Sequence, residues 1–269
     1  MFVPTVVPVP QPSTGPRTDA RPGATTPPNA IAVSLGSGRI QVWAAGRGGL
    51  GCPSAGTAGT SRVPVRRGRV VDGPGCTGVL SQLIRQYRDP IPAGPVVVVC
   101  RPVQTTTTEQ HALGQVVEAV FAPSRVLFID TVRAAAIGAG AATGGLLVVD
   151  IGAEISEAAI LRDGRVTAAR RTDIGTRDLT HGAPTEMLSH AVARMIKELC
   201  GDAATRAVVP TALRRGLLVV GDGAGTPDLI AQIAANLRIP VQAASAPWTA
   251  ALTGAGLAAL SAARHPSTR

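Results

Sequence analysis

The chain has 269 residues and a formal net charge of +9, with 26 Lys+Arg against 17 Asp+Glu. Lys197 is the single lysine and it follows no glycine run, which excludes a P-loop phosphate site and leaves Schiff-base chemistry to that one residue. Only 2% of residues are aromatic, too few for a base-stacking platform, so no nucleic-acid partner is expected.

A 45% hydrophobic content allows a real core, built from Val, Leu, Ile and Ala. The basic balance points to a polyanion or an anionic membrane surface, and the near-total use of Arg over Lys reads equally as high-GC codon bias. No acidic residue lies between Asp19 and Asp72, and Arg62, Arg66, Arg67 and Arg69 make 62–69 either a contact surface or a solvated loop. Cys52, Cys76, Cys100 and Cys200 form no C-x-x-C pair and are expected as buried free thiols of a reducing cytoplasm. No 18-residue apolar run occurs, so a cytoplasmic chain is expected.

Residues 1–29 hold eight of the 22 prolines and read as a disordered tail. Two short strands, 30–34 and 39–44, flank the turn 35–38. Residues 46–75 are rich in Gly, Pro, Ser and Arg and read as loop. A helix is predicted over 77–88, then a strand 95–100, a helix 109–121, a strand 125–129 and a short helix 133–139. Thr106 and Thr108 are cap candidates for the second helix. The next block has strands at 146–151, 156–161 and 165–171 and an amphipathic helix at 185–199. A strand 216–220 and a helix from Pro227 capped by Thr226 follow, then a short strand 239–241 and an Ala-rich helix 249–263. Strands alternate with helices, so the class is α/β.

An internal repeat organises the chain. The run from Val33 through Gly36 to Val42 resembles the run from Val149 through Gly152 to Ala158: strand, polar residue, apolar residue, glycine turn, strand. This implies a duplicated domain with a cleft between its halves. A glycine hairpin lets backbone N–H groups approach a phosphate, and two facing hairpins could clamp a polyphosphate. A carboxylate beside each turn could hold hydrated Mg²⁺; Asp150 fits that role in the second copy, and the first copy has uncharged Ser34. A third glycine turn is Gly221-Asp222-Gly223-Ala224.

These turns, in this order, resemble the actin/heat-shock-chaperone/sugar-kinase ATPase superfamily, and more narrowly the bacterial actin-like MreB/Mbl family. Ser34-Leu35-Gly36-Ser37 is similar to its first phosphate motif and Val148-Val149-Asp150-Ile151-Gly152 to the second. The stretch from Gly216 to Gly223 is similar to its adenosine motif. Pro102, Thr106, Glu109 and Ala112 match its P-x3-T-x2-E-x2-A segment, and Ala134 to Gly140 its connecting helix. Pro247-Trp248-Thr249 to Gly256 resembles its closing stretch. The resemblance covers nearly all of 30–260.

What it implies is a duplicated, ribonuclease H-like ATPase core with reduced peripheral subdomains. The first half would span 30–143, with loop 46–67 replacing its outer subdomain. The second would span 144–263, and a tail 264–269 would follow. The nucleotide and phosphate site would comprise Leu35, Gly36, Ser37, Gly38, Arg39, Gly152, Ala153, Glu154, Gly221, Asp222, Gly223 and Ala224, with ATP and Mg as cofactors and Asp150 holding Mg through water. Glu109 matches the residue that positions attacking water; a first-turn helix glutamate is its structural alternative.

The departures are specific. Ser34 stands where the family has Asp. Ala153 replaces a close-approach glycine, and Glu154 and Asp222 add negative charge where phosphate would lie. The resemblance therefore implies a cytoskeletal scaffold in cell-shape or spore-envelope morphogenesis, with nucleotide binding weak or lost. Its partners would be other copies of itself, other cell-wall morphogenesis proteins and the inner face of the cell membrane. An active, ATP-hydrolysing filament protein is the alternative; a small-molecule kinase and a basic-segment binder are further ones.

Overall fold

A computed structural model describes residues 28–54 and 63–265. The expected tails therefore fall largely outside the described residues, as does Arg62. Asn29, at the end of the expected N-terminal tail, belongs to the fold: its Nδ2 donates to the carbonyls of Pro92 and Ala93 at 3.2 and 3.0 Å.

The first half contains β1 (Ala30–Leu35), β2 (Arg39–Ala44), β3 (Gly48–Pro53), β4 (Val65–Arg66), β5 (Arg69–Val70), α1 (Gly73–Ile84), β6 (Val96–Arg101), α2 (Thr107–Phe121), β7 (Arg125–Asp130) and α3 (Thr131–Gly138). The second contains β8 (Gly145–Ile151), β9 (Ser156–Arg162), β10 (Arg165–Thr172), α4 (Thr176–Thr180), α5 (Thr185–Gly201), α6 (Val209–Arg215), β11 (Leu217–Val220), α7 (Pro227–Leu237), β12 (Val241–Ala243) and α8 (Ala250–Arg264).

Two five-stranded sheets result, ordered β3-β2-β1-β6-β7 and β10-β9-β8-β11-β12. In each, the first three strands are antiparallel and the next two join in parallel. The sequence repeat is thus a repeat of topology. The turns match as well: Gly36 N–H donates to Arg39 O and Gly152 N–H to Ile155 O, both at 2.9 Å.

Strand alternation assigns the layers. Ile31, Val33 and Leu35 point to α1 and α2, where they meet Leu80, Leu83, Val116 and Val117. Ala30 and Ala32 point the other way, to Leu252, Ala255 and Ala259 of α8. In the second sheet, Leu147, Val149 and Ile151 meet α5 and α7, while Leu146 and Val148 meet Val132, Ala135 and Ala136 of α3. Helices α3 and α8 therefore lie between the two sheets, and the small residues of the chain concentrate where these layers approach.

Several expectations require correction. The segment 46–75 is not simply loop: it contains β3, which pairs antiparallel with β2, and the β4–β5 hairpin. Gly48-Gly49-Leu50-Gly51 has no β-branched residue, and the ladder to β2 imposes the strand. The first helix runs Gly73–Ile84 instead of 77–88, because Asp72 caps it by accepting from Gly75 N–H at 2.9 Å and Pro74 occupies its first turn. Tyr87 lies beyond that helix and its hydroxyl donates to Gly48 O at 2.9 Å. Helix α6 and the short α4 lie in stretches with no predicted element. Thr226 holds the cap position of α7, but its side chain makes no cap hydrogen bond. The last helix, placed with the second half by sequence, packs on the first sheet.

Candidate functional site: the cleft between the two sheets

The cleft opens at the C-terminal ends of β1, β6, β8 and β11, where parallel neighbours leave a crevice above the strands. Its free volume is about 120 Å³. Leu35, Gly36, Ser37, Gly38 and Arg39 line it from the first half. Asp150, Gly152, Ala153, Glu154, Gly221 and Asp222 line it from the second.

The turns approach one another closely. A Cβ on Gly38 would lie 2.8 Å from Ala153 Cβ and 3.0 Å from Asp222 Oδ2. Gly221 has φ +81°, and a Cβ there would lie 2.1 Å from Asp150 Oδ1, so this position requires glycine twice over. The remaining sequence-derived site residues lie elsewhere. Gly223 is buried with its α-carbon against Ile151, and Ala224 packs on the outer core of the second half. Glu109 does not line the cleft. It forms a capping box with Thr106, accepting from Thr106 N–H at 2.8 Å, and pairs with Arg69 at 2.5 Å.

Carboxyl groups accumulate along the second half, and Asp150, Glu157 and Asp222 each hold their proton more tightly than usual. Burial, reinforced by Asp222, pushes Asp150 up to about 7. Burial and then Asp150 push Glu157 up to about 8, against the Val103 N–H that it accepts. Burial raises Asp222 as well, opposed by Arg39 and Arg177. The Cys100 thiol is pushed up to about 12 by burial and then by Asp150 and Glu157, so it is an inert buried group. Among the described residues, no group of three or more His, Cys, Asp or Glu side chains could hold a metal ion.

Glu154 does not extend freely into the cleft. Its Oε2 accepts from Arg67 N–H at 2.7 Å, and its Oε1 pairs with Arg177 Nη1. Arg177 Nη2 donates to Ser37 O at 2.9 Å, and Gly68 N–H donates to Ser37 Oγ at 3.1 Å. Sequence reasoning missed Arg67, Gly68, Glu157 and Arg177 as cleft residues. Glu157 carried one usable signal, a lone acid in the otherwise small and apolar strand 156–161. The contacts of Arg67 and Arg177 cross the cleft, and no local pattern encodes them.

Residues 57–185 match the model of the family described as MreB/Mbl protein. Among curated proteins, none matches the chain in sequence. The fold is that of solved actin-like proteins. MreB5 of Spiroplasma citri bound to ADP superposes with a TM-score of 0.74 at 15% identity, covering 87% of this chain and 97% of that one. The ethanolamine utilization protein EutJ of Carboxydothermus hydrogenoformans gives 0.63 at 20% identity, covering 85% and 89%. The MamK double helical filament gives 0.69 at 14% identity, covering 88% and 99%.

Proposed function

We propose, for a chain whose residues 57–185 match the MreB/Mbl family model and whose core has the actin-like fold, the role of a cytoskeletal scaffold whose cleft has ceased to work as an ATPase site. Its task would be cell-shape or spore-envelope morphogenesis, through contacts with other copies and with cell-wall morphogenesis proteins at the inner face of the membrane. Among the described residues no helix is long and apolar enough to cross a membrane.

The observation that carries the reading is Glu154, a carboxylate held on the β8–β9 turn by Arg67 N–H and Arg177. A magnesium nucleotide does not fit the residues present. Ala153 fills the space between the turns, Ser34 brings no charge for a metal, and Asp150, Glu157 and Asp222 crowd one wall with acid.

The second reading is a working ATP-dependent filament protein. It draws on Asp150 and on the neighbour MreB5 of Spiroplasma citri, whose structures hold AMPPNP or ADP. Pelleting and electron microscopy with and without Mg-ATP separate the two. A nucleotide-independent scaffold assembles equally in both conditions; assembly that requires Mg-ATP supports the second reading.

A further inference from the structure

We propose that Glu154 is a built-in occupant of an anion site, its carboxylate standing where an external phosphate would meet the facing turns and fastening the two halves together from within. This inference rests on the reading of the cleft as a non-ATPase site and gives it a physical device.

The contacts form one circuit through four segments. Glu154 belongs to the β8–β9 turn and Arg177 to α4, both in the second half. Ser37 belongs to the β1–β2 turn, and Arg67 and Gly68 to the β4–β5 turn, all in the first. Glu154 joins Arg67 N–H to Arg177, Arg177 joins Glu154 to Ser37 O, and Gly68 N–H returns to Ser37 Oγ. Both carboxylate oxygens and two guanidinium nitrogens are used.

The surroundings suit an anion. The side chains of Glu154 and Arg177 are only 13% and 27% exposed, so their charge-assisted bonds are shielded from water. Two successive backbone N–H groups, Arg67 and Gly68, point inward, an arrangement that favours negatively charged or oxygen acceptors. Arg67 adopts φ +45°, uncommon for a residue with a side chain, and this conformation is held from both sides. Its N–H meets Glu154, its carbonyl accepts from Arg171 Nη2, and its guanidinium reaches Asp173 at 3.7 Å. Removing the Glu154 carboxylate leaves a buried-side guanidinium and an N–H without their acceptor, a vacancy with the charge and donors of a phosphate site.

The test is chemical rescue on the full chain. Wild type, Glu154→Ala and Arg177→Ala are melted at constant ionic strength with and without inorganic phosphate. Glu154→Ala is expected to melt below wild type and to be restored by phosphate, binding it at least about tenfold more tightly than wild type does. Arg177→Ala is expected to melt low without rescue. Equal phosphate responses in wild type and Glu154→Ala overturn the proposal. If Glu154→Ala does not fold, Glu154→Gln is measured instead: a lowered melting temperature with partial phosphate rescue supports the proposal, and wild-type behaviour overturns it. Mg-ATP binding to wild type is a separate outcome that overturns the functional reading.

Discussion

Gly138 of α3 and Gly254 of α8 touch backbone to backbone. A Cβ on Gly138 would lie 1.9 Å from Ala250 O, and a Cβ on Gly254 1.8 Å from Ala134 O. This crossing sits between the two sheets, and both helices feed the layers that meet at the cleft. The atoms in the way are main-chain carbonyls, which cannot swing aside as a side-chain end can.

Gly254→Ala and Gly138→Ala are therefore expected to destabilise the chain by about 3 kcal/mol or more, at the upper end of overpacking costs. Gly78, in the exposed part of α1, has nothing within 4 Å of its would-be Cβ. Gly78→Ala should instead stabilise by about 0.5–1 kcal/mol through helix propensity. Urea unfolding midpoints of the three variants check both signs.

Asp150 governs a pH dependence. Its carboxyl rises from 3.8 to about 7 in the folded chain. The folded state thus holds a proton that the unfolded state releases. The favourable contribution is complete below pH 4 and is lost as pH rises to about 7. Asp150→Asn, which never ionises, should be close to wild type at pH 4 and gain on it up to pH 8, by about 2–4 kcal/mol given about 1.4 kcal/mol per pKa unit. Denaturant midpoints at these two pH values measure the widening gap.

Glu109 is expected to matter for stability and not for turnover. Burial pulls its carboxyl up, but the Thr106 backbone and hydroxyl bonds, with Arg69 and Arg171, outweigh it and hold the group below its usual value. Its contribution is present above the ordinary glutamate range and fades as pH falls below it. Glu109→Ala should cost about 1 kcal/mol, as for a lost helix cap. Any background ATP hydrolysis should be unchanged; a proportionate loss of hydrolysis would assign Glu109 a catalytic role.

The cysteines should differ in accessibility. Cys52, Cys76 and Cys100 are buried and Cys200 only half-buried. A thiol reagent added to the native chain should modify Cys200 first, and the other three only as the fold opens, with burial raising all four thiols. Mass spectrometry of the labelled chain reads this order.

The two hairpins β1–β2 and β8–β9 were legible because alternating apolar residues end in glycine turns of the same form. Asp150 and Gly221 were legible for a related reason: each closes a buried apolar strand. Strand β3 was not, since its glycines carry no strand preference and only pairing with β2 creates it. Nor could the sequence say which sheet α8 covers, because an Ala-rich face suits either. The turn bearing Glu154 was found, and its charge was noted as opposing phosphate. Its partners were hidden, because Arg67 and Arg177 lie 87 and 23 residues away along the chain.

Whether the cleft takes nucleotide separates a non-ATPase scaffold from a working ATPase. Calorimetric titration of the purified chain with Mg-ATP measures this directly. A cleft whose facing turns are occupied by Ala153 and by a Glu154 tied to Arg177 predicts no saturable heat at millimolar nucleotide. Saturable binding with a Kd below about 1 mM, worth about 4 kcal/mol or more, would contradict it.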